Sequence, residues 1–508
     1  GRQGNEVTIA VDPTNPQNIV GGAKDYFPLD AGECVWDGVY VTHDGARTPF
    51  ADRSLDGSPW RLSQDPGSFK PTYASQFWCT TDPVAYFGLD GTFYYLAMAY
   101  QADRVTGSKA LGPELEDPAC PPILDCPHGA LNDWAFNRAT QIVAVSKDGG
   151  DTFDSFTAVF EGTYPVAFHD KGWVAASKDG VIHVMWLAGA LPGNFYWRST
   201  DGGKTYGDPF IIAGTVGDDS GQGSFVDVGP DKEVYAGWTG NDGIHVRRSL
   251  DEGKTWLATQ TLLNPHGADM PGLSDRDRRG GFAAMATDRN AESPFANSVY
   301  FAFQDSCQAP TWSAECDPSD GLTDEVPAKK GENRGNIYVV ASHDGGKTFG
   351  VPVLVNDDLG PDGNANPDNY QFMPAISVSP GGVLDVQWFD TRQQGRSDTV
   401  RDHLRVGQYY SYSLDGGKTW SKNLDIRDRD DGGWDPALSH HQDGKIFFGD
   451  YQDIDSSWQA AHPVWPDTRD GKEVKVYTAT LQRPWFAEGW DAGKRATAEK
   501  FIASHPLT

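Results

Sequence analysis

Short polar runs recur next to apolar, β-type stretches in this chain of 508 residues, and their side chains are kinds that move protons and hold anions. Glu6 precedes VTIAV, Asp82 precedes PVAYF, and His169-Asp170-Lys171 precedes GWVAAS. Asp277-Arg278-Arg279 leads towards FAAMA, Tyr370-Gln371 towards PAISV, and Asp450-Tyr451 into the last such stretch. Two further runs close apolar stretches: FDTR, with Asp390 and Arg392, and PDTR, with Asp467 and Arg469. Carboxyl groups of this kind act as general acids and bases once their surroundings tune them. Guanidinium forks hold carboxylates in bidentate fashion, and Arg279, Arg392 and Arg405 are candidates. A phenol such as Tyr451 or Tyr370 becomes a nucleophile or base when a neighbouring group activates it, as Asp450 does beside Tyr451. His128, in CPHGALNDW, and His169 are further proton carriers. One loop, NDDLGPDGNANPDNY (356–370), brings together Asp357, Asp358, Asp362, Asn364, Asn366 and Asp368, oxygen donors that suit Ca²⁺.

These groups act together only if the chain brings them to one place, and a repeat supplies the means. Apolar stretches ending in Trp follow the first set: HVMW at Trp186, YAGW at Trp238, DVQW at Trp388 and HPVW at Trp465. Then comes a phrase written five times nearly intact: SKDGGDTF, STDGGKTY, SLDEGKTW, SHDGGKTF and SLDGGKTW. A worn sixth copy, THDGARTPF, starts at Thr42. In this phrase the Asp closes a local turn on the backbone N–H groups after it, the glycines supply positive φ, and the last aromatic packs inward. It reads as a hairpin between two strands. The two shortest intervals between its Asp residues, 148 to 201 and 201 to 251, each fit one four-stranded unit. Seven units follow, at about 7–62, 82–160, 169–214, 221–263, 281–357, 370–428 and 446–483, the last without the phrase. The extra sequence falls between second and third strands, at 100–140, 305–334 and 390–406, and long loops on a rigid frame tend to carry binding function.

The phrase resembles the Asp-box, or BNR repeat, of sialidase-like β-propellers. That resemblance implies an all-β fold: a single propeller of four-stranded antiparallel blades over 1–484, seven-bladed with a six-bladed ring as the alternative, and a tail at 485–508 packed on it. The seventh unit, with three clear strands, is expected to borrow a fourth from a chain terminus. The resemblance also places the six box residues, Asp44, Asp148, Asp201, Asp251, Asp344 and Asp415, on the face opposite the active site. The polar runs then meet at the other mouth of the central channel. By analogy with sialidases, Tyr451 or Tyr370 is the nucleophile, assisted by a carboxylate such as Glu6. Asp82 or Asp170 is the acid, and Arg279, Arg392 and Arg405 form a clamp, with His169, Lys171, Asp450 and His128 around the substrate. Where that family writes Arg-Ile-Pro, this chain writes VTIAVDP. The expected activity is a sialidase-like glycoside hydrolase on an acidic glycan. A polysaccharide lyase on a uronate-containing glycan, with His128, His169 or Tyr451 as base, is the alternative, and a non-catalytic glycan- or protein-binding module is the third reading.

Composition narrows the setting. Abundant Gly (58) and Pro (33) beside 17 Trp and 25 Phe suit short strands and tight turns. A formal charge of −29 disfavours nucleic acid or an anionic membrane as partner. No apolar run reaches the length of a membrane span, and no organic cofactor motif is present. None of the six cysteines sits in a Cys-x-x-Cys, so zinc is not expected. The close pairs Cys120/Cys126 and Cys307/Cys316 leave Cys34 with Cys79, and three disulfides imply a secreted, periplasmic or cell-surface protein.

Overall fold

A computed structural model describes residues 4–25, 36–52, 79–104, 134–163, 169–188, 193–214, 221–240, 242–266, 282–307, 312–314, 335–360, 369–392, 405–427, 432–439, 441–442 and 445–483. These form seven four-stranded antiparallel sheets arranged as a β-propeller, and one two-stranded ribbon, His441–Gln442 with Lys445–Ile446. The first strands are Gly4–Val11, Cys79–Phe87, His169–Ala176, Gln222–Val228, Ala284–Thr287, Gln371–Val378 and Asp453–Ser456. Each is followed by its own partners. In the third blade they are Ile182–Ala188, Gly193–Ser199 and Phe210–Ala213. Among the described residues no helix is long and apolar enough to cross a membrane.

The Trp-ended stretches are second strands, and their composition follows from their position. A second strand has neighbours on both edges and a blade against each face, so it reads as an almost unbroken apolar run. Val299–Asp305 and Leu384–Asp390 are buried along their whole length, as are Trp186, Trp238, Trp388 and Trp465. Seven apolar clusters, each shared by two adjacent blades, carry the packing round the ring. The last joins Val464 of blade seven to Val7, Ile9 and Val11 of blade one.

That closure differs from the expected strand loan. Lys475–Thr478 and Leu481–Gln482 both pair with Ala460–Asp467, so all four strands of the seventh sheet come from residues 453–482. The ring is held instead by side chains: Asp453 accepts from Thr8 Oγ1 and the Ile9 N–H, and Asp455 from the Val11 N–H. The second blade also departs from expectation. Its second and third strands, Phe93–Arg104 and Trp134–Ser146, run several residues into the segment read as an insertion.

All six boxes are turns of one kind. In the last, Asp415 accepts from Ser413 Oγ, the Lys418 and Thr419 N–H groups and Thr419 Oγ1, at 2.6–3.0 Å. Where a box lacks its first glycine the backbone keeps the same conformation, with Glu252 at φ 59°. In blade three Ile182 pairs with both Ala176 and Ser199, and Ala188 with both His169 and Gly193. The box therefore lies at the opposite end of the blade from His169. The tail at 485–508 lies outside the described residues.

Candidate active site at the channel mouth

One irregularity, repeated from blade to blade, aims the polar runs inward. Five first strands carry a one-residue bulge at the same place, against their second strands. The residues there with left-handed backbone are Glu6 (φ 49°), Asp82 (58°), Lys171 (50°), Gly223 (68°) and Met373 (54°). Four of the five are not glycine, and left-handed backbone costs such residues about 1–3 kcal/mol each. Bulges of this kind re-aim side chains beside functional sites.

In blades one to three the re-aimed side chains are charged, and they meet. Lys171 Nζ lies 2.9 Å from Glu6 Oε1, 2.8 Å from Asp450 Oδ2 and 3.6 Å from Asp82 Oδ1. Lys24 Nζ takes the other Glu6 oxygen at 2.8 Å. Four blades thus contribute to one ionic cluster that is almost wholly buried, Glu6 at 1% exposure and Lys171 at 8%. Gly449 makes the closest approach possible, because a Cβ there would stand 2.8 Å from the Glu6 backbone nitrogen. Blades three to six supply the other half of the mouth. Trp173 of blade three and Phe225 of blade four, 4.4 Å apart between ring centroids, with Phe282, Met285 and Met373 face Asp450 and Tyr451 across a cavity of about 30 Å³.

Burial splits the carboxyl groups. It would raise both Glu6 and Asp82. At Glu6 the ammonium groups of Lys171 and Lys24 outweigh it and hold the acid well below the usual range. At Asp82 burial wins, helped by the Glu6 charge against the pull of Lys171, and the group rises to about 6. Two carboxyl groups beside the same nitrogen, one held low and the other raised to about 6, have the split expected of an acid/base pair. Tyr451 donates to the Pro83 carbonyl at 3.3 Å, and Lys171 Nζ sits 5.3 Å from its ring centroid. Burial, then the charges of Asp82 and Glu6, push its hydroxyl well above the ordinary phenol value, away from a resting phenolate.

The remaining candidates are placed elsewhere or used differently. Asp170 accepts from Gln222 of blade four at 3.2 Å. His169 is buried against Trp186, and burial pushes it down to about 4, so it is neutral. The Tyr370 N–H donates to Thr391 Oγ1, and its ring packs with the cluster between blades six and seven. Arg392 braces loops: it binds Asp390, Asp357 at 2.6 Å, Asp358 and Asn423, and lies over the Tyr409 ring. Asp357 and Asp358 face that guanidinium. Arg405 is exposed. Cys307 is fully buried. Arg279, His128, Asp362, Asn364, Asn366, Asp368, Cys34, Cys120, Cys126 and Cys316 lie outside the described residues, as does the side chain of Cys79.

Sequence reasoning missed Lys24 and Asp37, on the second and third strands of blade one, because nothing local marks them. It also missed Arg289, which crosses the ring near the box end to reach the Phe87 carbonyl and the Tyr86 ring. A His–Asp pair at the mouth end, His266 with Asp305, was legible only as the QDSC counterpart of FDTR and PDTR.

Residues 411–422, the last of the box hairpins, match the family model described as the BNR/Asp-box repeat. The chain is a β-propeller that carries the Asp-box repeat. No curated protein matches it. Among solved structures, the Asp-box propeller is similar to a Hadza microbial sialidase, at 14% identity and TM-score 0.42, covering 76% of this chain and 63% of that one. It is similar to an α-L-arabinofuranosidase of Fusarium graminearum, at 12% identity and TM-score 0.40, covering 94% and 93%. An ulvan lyase covers 98% of both chains at 10% identity and TM-score 0.42.

Proposed function

We propose that this Asp-box propeller is a secreted, carbohydrate-active enzyme, a glycoside hydrolase working at the channel mouth, with Asp82 as proton donor and Glu6 as its ionised partner. One observation carries the reading: Lys171 Nζ gathers Glu6, Asp82 and Asp450, while burial and charge hold the Glu6 acid low and raise that of Asp82 to about 6, where it can take up and give a proton near neutral pH. Both carboxyl groups lie within 3.6 Å of the same nitrogen, which favours the short separation of retaining enzymes, about 5–5.5 Å, over the wider gap that holds an inverting enzyme's water. The apolar half, with Trp173 and Phe225, offers ring faces to the C–H face of a sugar. An acidic glycan, as in sialidases, would meet Lys171 and Lys24 there. A Ca²⁺ ion on the 356–370 loop would draw on Asp362, Asn364, Asn366 and Asp368, because Asp357 and Asp358 already neutralise Arg392.

The test is a turnover screen on sialosides, neutral glycosides and uronate polymers. Asp82→Asn and Glu6→Gln should each lower kcat about 10²–10⁴-fold in folded protein. Release of a reducing sugar with that loss supports the hydrolase; wild-type turnover in either variant, or binding without turnover, refutes it. Tyr451→Phe separates the tyrosine scheme, since it deletes only the hydroxyl. A lyase is the second reading, favoured by the Lys171 ammonium beside the Tyr451 ring, where a uronate would be neutralised and deprotonated. An unsaturated product absorbing from a new C4=C5 bond would select it.

A further inference from the structure

Asp37 is the least satisfied acid in the described protein. It stands on the third strand of blade one, Trp36–Thr42, and is 6% exposed. Its backbone N–H donates to Thr80 Oγ1 of blade two at 2.9 Å, but neither carboxylate oxygen has a hydrogen-bond partner among the described residues. It lines a cavity of about 10 Å³ with Thr80, Tyr95 and Phe156, room for about one water. Its direct cross-strand neighbour is Lys24, yet the Lys24 ammonium reaches Glu6 Oε2 at 2.8 Å. The titratable groups that face it are Lys24, Asp25 and Glu6 of blade one, Asp82 and Tyr95 of blade two, and Tyr451 of blade seven. Five of these six are acids or phenols whose ionised forms would repel a charge on Asp37.

An unpaired buried carboxylate costs so much that the group takes up a proton instead. We propose that Asp37 is a neutral carboxylic acid at neutral pH and acts as a positioning residue, leaving Lys24 to Glu6 and so keeping Glu6 ionised at the mouth. Burial, then the neighbouring Asp82 charge, raises its acid well above the usual carboxylate range, in keeping with the geometry. Ionisation at higher pH would set Asp37 against Glu6 for Lys24, its own cross-strand partner. The inference extends the reading of the mouth as a reactive site, but its tests need no substrate, so a failed glycan screen and a failed Asp37 test are separate results.

Infrared difference spectra of wild type minus Asp37→Asn at neutral pH should show a carboxylic-acid C=O stretch that the variant lacks. Glu6→Gln should weaken the same band, because Lys24 loses its anionic partner and turns to Asp37. Thermal unfolding gives a second readout. A raised acid destabilises the fold progressively as pH climbs from its unfolded value towards its folded one, and Asn cannot ionise. The midpoint of Asp37→Asn relative to wild type should therefore rise with pH, whereas a lost packing contact would shift it equally at every pH. Asp37→Leu serves in the same way should the amide variant fail to fold. Absence of the acid band in wild type, an unchanged band in Glu6→Gln, or a pH-independent midpoint difference overturns the proposal.

Discussion

Replacing Lys171 with Met removes one ammonium and leaves three buried carboxyl groups facing one another. Met keeps the unbranched stem, and the left-handed backbone at φ 50° is no worse for it than for Lys, so the change reports on charge. Glu6, at 1% exposure, retains only Lys24 among its two cations; Asp82 and Asp450 lose the partner that bridges them. Breaking a buried ion pair by deleting one member costs about 3–5 kcal/mol. With an unfolding entropy of about 2.1 cal/mol/K per residue, a chain of this length shifts its Tm by about 1 °C per kcal/mol, so a fall of about 3–5 °C is expected at pH 7. Acid should undo it. Without Lys171 the orphaned carboxyls titrate higher when folded than when unfolded, so the variant regains stability as pH falls from about 7 towards 4. Calorimetry of wild type, Lys171→Met and the double variant with Glu6→Gln measures this. A Tm equal to wild type at pH 7, or a deficit that persists at pH 4, would show that the cluster is not the paired, buried site described.

Asp415→Ala in the last box removes an acceptor for two N–H groups and two hydroxyls and should cost about 1–2 kcal/mol, while turnover of the folded fraction persists; intact stability with lost activity would contradict a structural role. In the wild type, burial raises Asp82 and Asp455 to about 6 and Asp288 and Asp453 to about 7, against about 3.9 for unfolded Asp. These groups bind protons more tightly when folded, whereas burial pushes His169 and His462 down to about 4 and His183 to about 3, which withdraws stability below about 6.5; the acids' upward shifts are the larger in sum, so Tm should rise modestly as pH falls from about 7 to about 4. Below that the trend reverses, because hydroxyl hydrogen bonds from Thr48 and Thr205 hold Asp44 and Asp201 down; a Tm that falls steadily from pH 7 counts against it. Peptide mapping without reductant should join Cys307 to Cys316, Cys120 to Cys126 and Cys34 to Cys79, and crossed partners or free thiols would reject that pattern.

The architecture was legible because it is written locally and repeatedly. A box needs only eight contiguous residues, since its Asp clamps its own backbone, and the Trp-ended runs betray strands buried on both faces. That was enough for seven blades and for which end of each faces the mouth. Sequence also named Glu6, Asp82, Lys171, Asp450 and Tyr451, for they stand at the same place in successive repeats. It could not tell that Lys171 is the hub. Nor could it tell Asp82, whose acid is raised, from Glu6, whose acid is held low, because that difference depends on which ammonium lies within 3–4 Å after the ring closes. Arg392 looked like a clamp in FDTR, but its partners Asp357 and Asn423 come from other turns of the chain and spend its charge. Lys24 and Asp37 carry no motif. Blade seven closes without a borrowed strand because Asp453 and Asp455 reach blade one through contacts more than four hundred residues apart, a distance no local pattern spans. What the sequence determined by itself was the repeat, since each turn and strand is set by neighbouring residues. What the tertiary structure decided was the charge state of the mouth, since burial and Coulomb energy exist only between residues that folding brings together.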